Sequence, residues 1–189
     1  MTHGPAHPDA ARVQLQMQRW LERAVIGLNL CPFAKAVHAK GQIHYAVSAA
    51  SDANELLDAL RQELLDLQQA DPALRDTTLL VAPEALADFL EFNACLGRAD
   101  RLLRKLGLDG VLQIASFHPR YQFADASPED MSNCSNRAPY PTLHLLREDS
   151  ISRALHTFPD AADIYQRNAQ TLNALGASAW AKLGLDQPV

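Results

Sequence analysis

The sequence predicts an α/β protein: one domain holding a mixed four-stranded sheet flanked by helices. Three observations lead there. Apolar residues switch along the chain between helical spacing and short strand-like runs. Strands that alternate with helices imply right-handed crossovers and a covered sheet. The last two strand-like runs, Val111–Phe117 and Thr142–Arg147, follow one another with no helical periodicity between them, which makes them antiparallel neighbours.

Taken in order, residues 1–8 form a flexible tail and 9–186 the domain. Asp9 caps a first helix whose Val13, Met17, Trp20, Leu21, Ala24, Val25 and Leu28 recur at helical spacing, ending near Gly27–Asn29. Cys31 to Lys35 lead out of it. Gln42–Ser48 is a strand. Asp52 with Glu55 resembles a capping box for a second helix carrying Leu56, Leu60, Leu64 and Leu67, which Asp71-Pro72 stops. Thr77–Ala82 is almost wholly apolar, as a strand covered on both faces must be. Pro83-Glu84 suits a helix start, Gly97 breaks that helix, and Gly107 ends it. After the paired strands, Asp149 or Ser150 opens a short helix, and a last one runs from about Asp160 to Lys182. The order α-β-α-β-α-β-β-α-α contains that of the thioredoxin fold, as analogy only. A ferredoxin-like sheet is the alternative arrangement.

The chain has 189 residues, 48% hydrophobic and 21% charged, with formal net charge −5, which disfavours a nucleic-acid partner. Three cysteines without a CxxC pair fit neither a disulfide framework nor a standard zinc module, and they suggest a reducing, cytoplasmic location. No apolar run approaches the ~20 residues that span a bilayer. Neither GxGxxG nor GxxxxGK[ST] occurs, and no cofactor or metal is implied.

The segment Ser116–Glu148 carries the chemistry. It holds two histidines, three arginines and four prolines, an unusually polar yet stiff connection. If its flanking strands pair, His118 and His144 approach one sheet end as general acid and base. Arg120 and Arg137 suit a carboxylate or phosphate, and Asn133, Asn136, Lys35 and Tyr140 complete a binding set. Glu84 joins them if the third strand runs parallel to the second. Cys31 is the thiol placed as a possible nucleophile, although a helix C-terminus disfavours its thiolate and a buried, inert cysteine is the competing reading. Each polar residue also has a bland alternative: His144 sits between Leu143 and Leu145 as a core histidine would, and Asn136-Arg137 suits an anchor for the loop carbonyls.

RAVIGLNLCPFAKAV, LQIASFHPRYQF and NRAPYPTLHLLREDSI together resemble the bacterial family called domain of unknown function 1415, over nearly the whole chain. The resemblance implies a stand-alone cytosolic protein and no assigned activity. It joins the Asn29–Lys35 turn to the 118–148 segment. It also implies a different small residue at the position of Cys134, which weakens a Cys31–Cys134 redox pair. Two functional readings stand. One is an enzyme using a His/Arg site on a small anionic substrate. The other is a noncatalytic metabolite-binding or protein-interaction module, with 118–148 as recognition surface or structural clasp. The oligomeric state stays open.

Overall fold

A computed structural model describes residues 9–157 and 163–185; the predicted tail, residues 1–8, the expected helix start at Asp160 and residue 186 lie outside them. The sheet has the order β1 (Ile43–Val47), β2 (Thr77–Val81), β4 (Thr142–Arg147), β3 (Leu112–Phe117). β1 runs parallel to β2, and β4 runs antiparallel to both β2 and β3. Hence β1, β2 and β3 share a direction, and their carboxyl ends meet the start of β4 at one end of the sheet. Every residue of the inner strand β2 is buried, which explains why it is almost wholly apolar.

Two long helices cover one face. Asp52 caps α3 (Ala53–Gln69) by accepting from the backbone N–H groups of Asn54 and Glu55, at 2.7 and 2.9 Å. The Glu55 carboxylate closes the box on Ser51, one residue earlier than the usual partner. Leu56, Leu60, Leu64 and Leu67 form the inward stripe of α3, and α4 (Phe89–Lys105) adds Phe92, Ala99 and Leu103. Both pack on Leu80, Leu112, Leu143 and Leu145 of the sheet.

The opposite face is covered by α1 (Ala10–Trp20), a π-helical turn (Leu21–Ile26) and α2 (Ala34–Ala39). The wider turn lets neighbouring Ala24 and Val25 both reach the core. Gly27 donates to the Glu22 carbonyl five residues back, and a Cβ there would lie 2.4 Å from the Arg23 carbonyl oxygen. Only glycine fits that exit. α5 (Glu148–Thr157) follows β4 directly, and α6 (Ile164–Ala181) packs on a 3-10 segment, Met131–Asn136, bending at Gly176 where φ is 71°. Among the described residues no helix is long and apolar enough to cross a membrane.

Three local expectations are corrected. Pro83-Glu84 opens no helix, because Leu86 adopts a left-handed φ of 56° and Asp88 caps α4 instead, accepting from Leu90 and Glu91. α4 then runs through Gly97 unbroken, on its exposed side where no packing side chain is required. The six residues of α2 are too few to show a periodicity and stand where only an exit segment was expected.

Arg147 ties the end of β4 to the end of α3 and to the segment before β2. Its guanidinium donates to the carbonyls of Leu67 and Ala70 at the end of α3, at 2.5 and 2.7 Å, and to Arg75 at 3.3 Å. The first two are carbonyls the helix cannot satisfy itself. Arg147→Leu should therefore cost about 2 kcal/mol, by stranding them half-buried, and urea unfolding should read this as a lower midpoint at unchanged slope.

Candidate functional site

The 118–141 connection is held by its own polar side chains. His118 is fully buried, its ring 5.4 Å from that of Phe89 and 5.1 Å from Phe92. Its Nδ1 accepts from the Arg120 backbone N–H at 3.0 Å, so the ring proton sits on Nε2 and is donated to the Leu86 carbonyl at 3.1 Å. Burial lowers its pKa and keeps it neutral. Asn133, also fully buried, accepts from the Phe123 N–H at 2.9 Å and donates to the Ser127 carbonyl at 2.7 Å. Asn136 donates to the Ser116 carbonyl. Arg137 donates to the carbonyls of Tyr121 and Pro128, at 3.1 and 2.7 Å, while its own carbonyl accepts from the Trp20 indole at 2.9 Å. Irregular backbone cannot satisfy itself, and these four side chains satisfy it.

His144 is elsewhere. It lies in mid-strand, opposite Leu79 of β2 and Ala115 of β3. Its neighbours Leu143 and Leu145 point at α3 and α4, so the pleat turns His144 to the α1 side. His118 continues the phase of Leu112, Ile114 and Ser116 and falls on the α4 side. The expected meeting of the two histidines at one rim does not occur; they occupy opposite faces of the sheet.

What His144 does line is a cavity of about 330 Å³ between the sheet and the α1, π-turn, α2 and α5 layer. Its walls are almost wholly apolar: Trp20, Leu21, Val25, Phe33 and Val37 from one side, Ile43, Leu79, Ala115, Phe117 and Leu146 from the sheet, Ile151 and Ala154 from α5. Asp76, Thr77, Gln113, Ser150, Cys31 and His144 are the polar or thiol groups on its lining. Ser150 donates to the Asp76 carboxylate at 2.6 Å. The Thr77 hydroxyl lies 2.6 Å from the Leu145 carbonyl and 2.8 Å from His144 Nε2. A carbonyl can only accept, so the single hydroxyl proton goes to Leu145, and Nε2 must donate to Thr77. His144 therefore holds its proton on Nε2. Burial pushes its pKa down to about 4.

Cys31 shares this cavity, with its thiol pushed up by burial and therefore protonated. The expected helix C-terminal setting is corrected: the Phe33 and Ala34 backbone N–H groups point at the sulfur, which sits at the start of α2, and they lower the pKa by less than burial raises it. Lys35 is exposed on α2 and lines neither this cavity nor the next. Tyr140 donates its hydroxyl to Gln16 and packs within the α1-side core. Arg120 and Arg137 do come together, on an open groove of about 480 Å³ that also holds Asp88, Phe89, Gln122 and Pro128. There Arg120 donates to the Ala87 carbonyl at 2.5 Å and stands 3.4 Å from the Asp88 carboxylate. Glu84 follows β2 at the expected sheet end, exposed, and lines neither space. Among the described residues no group of three or more His, Cys, Asp or Glu side chains is arranged to hold a metal ion.

Sequence reasoning missed the apolar walls. Trp20, Val25, Phe33, Ala115 and Phe117 carry no signal that separates a cavity wall from a packed core. Parity was the available signal for His144, because residues paired across strands share a face and Ala115 stands opposite it.

Fold and site together define a mixed α/β protein with an apolar cavity on one face of its sheet and a polar clasp at its end. The chain belongs to the family described as "Protein of unknown function (DUF1415)", whose model matches residues 12–182. No curated protein and no solved structure matches it.

His118→Ala should destabilise the fold by about 3 kcal/mol, since it empties a buried ring site and strands the Leu86 carbonyl, with the loss read by denaturant unfolding. Acid should act through both histidines. The unfolded imidazole titrates near 6.5 and folded His144 near 4, so the unfolded chain takes the proton first. Stability present above pH 6.5 is then lost as pH falls toward 4, by about 3 kcal/mol from His144 alone. His144→Phe should flatten that part of a stability–pH curve; an unchanged slope would count against the neutral buried ring.

Proposed function

We propose that the protein binds a small, mainly apolar organic molecule in the cavity beneath α1 and α5, without chemically transforming it. The observation that carries this reading is the cavity itself: about 330 Å³, at the lower end of small-molecule sites, lined by apolar side chains with a few polar groups. A π-helical turn forms part of its wall, and such turns recur at functional sites. Binding is favoured over catalysis by His144. An imidazole with a pKa near 4 is a weak base and, near neutrality, is not the imidazolium that a general acid must be. The reading from the sequence of two histidines acting jointly on an anion loses its geometric basis, because the rings lie on opposite faces and both His118 nitrogens are engaged by backbone.

A second reading, anion recognition by Arg120 and Arg137, draws support from their common groove. Against it, each guanidinium already donates to loop carbonyls, and Asp88 contributes a negative charge to the same groove.

Fluorescence of N-phenyl-1-naphthylamine separates the two. The probe should bind the wild-type chain and lose at least about tenfold in affinity in Ala115→Phe, which fills the sheet side of the cavity, while excess inorganic phosphate leaves binding unchanged. Equal affinity in both proteins would sink the cavity reading, and a phosphate-induced rise in melting temperature that Arg120→Ala abolishes would favour the groove.

A further inference from the structure

Resting on that cavity reading, we infer that the site selects uncharged ligands that donate a hydrogen bond, such as an alcohol, phenol or amide N–H, received by Nδ1 of His144. Thr77 decides the ring's tautomer. Its hydroxyl proton is committed to the Leu145 carbonyl at 2.6 Å, so Nε2 at 2.8 Å is the donor of the pair and Nδ1 keeps a bare lone pair. Among the described residues the His144 ring has no hydrogen-bond partner except Thr77. The ring lies on the cavity wall, at the midpoint of the sheet, with Phe117 tilted over it at a centroid distance of 6.0 Å.

An acceptor in an apolar space is satisfied by a ligand that donates and gains nothing from one that only accepts. The charge pattern points the same way. Among the described lining residues the charged side chain is Asp76, a carboxylate, while the guanidinium of Arg153 donates to Ser150 at 2.9 Å from outside the lining and offsets Asp76 only at that edge. Burial holds His144 neutral near physiological pH, so the ring itself offers an anion no positive charge. A neutral bicyclic aromatic with a single hydroxyl fits both the volume and the acceptor.

The test is calorimetric titration of the full chain with three matched probes: 1-naphthol, 1-methylnaphthalene and 1-naphthoate. Naphthol should bind about tenfold tighter than methylnaphthalene, with naphthoate weakest, and His144→Phe should erase the advantage of naphthol. Thr77→Val gives an independent check that keeps the residue's shape. It removes the acceptor that holds the proton on Nε2, so the ring can present Nδ1–H, and 1-acetylnaphthalene should gain on naphthol relative to wild type. Equal binding of naphthol and methylnaphthalene to wild type, or an advantage that survives in His144→Phe, would overturn the ligand class and leave the cavity reading standing. Binding of none of the probes would overturn both.

Discussion

The antiparallel return of β4 between β2 and β3 is the constraint on which the rest of this structure depends. It places a strand whose side chains alternate strictly between faces at the heart of the sheet, so each residue from Thr142 to Arg147 is assigned to one layer or the other. Leu143 and Leu145 join the α3/α4 core, Arg147 caps α3, and His144 is left to the α1 side. A slip by one residue would bury Arg147 on the wrong face and turn the imidazole into the leucine core. The register therefore sets the helix cap, the core and the chemistry of the cavity at once.

The segment between β3 and β4 shows why polar residues in a rigid loop are ambiguous. A connection that crosses the end of a sheet without regular structure carries carbonyls and amides that no ladder satisfies. His118, Asn133, Asn136 and Arg137 meet that need, and Trp20 joins the result to α1. The donors and acceptors that make these residue types good catalysts also make them good substitutes for backbone partners. Burial decides between the roles, and here His118 and Asn133 are wholly buried. Leu86 completes the arrangement: its left-handed backbone aims a carbonyl at His118, a conformation the surrounding contacts must sustain.

The cavity has the opposite character. Interiors normally pack to crystal-like density, and a space of this size between two layers departs from that rule. The elements that bound it are those that depart from regular geometry: the π-helical turn, the short α2 after Gly27, and α5, which starts with no connecting residue after β4. Across the cavity from them, His144 of β4 and the small Ala115 of β3 line the same space.

Much of the architecture was legible in the amino-acid order. The leucine stripe of α3, the Asp9 and Asp52 caps, the apolar run of β2 and the antiparallel pairing of the last two strands follow from period, propensity and turn chemistry, all of them local. Parity even contained the separation of His118 from His144, once Ala115 is set opposite His144. Other features had no local sign. The start of α4 at Asp88 depended on a left-handed Leu86, and the six residues of α2 depended on packing. The sequence by itself determined the four strands, most of the long helices and which of their faces are apolar. Tertiary structure alone decided that His118, Asn133 and Arg137 are bound to backbone, and that His144 and Cys31 face one apolar space. Hydrogen-bond partners and unfilled volume arise between segments far apart in the chain, and no residue carries them by itself.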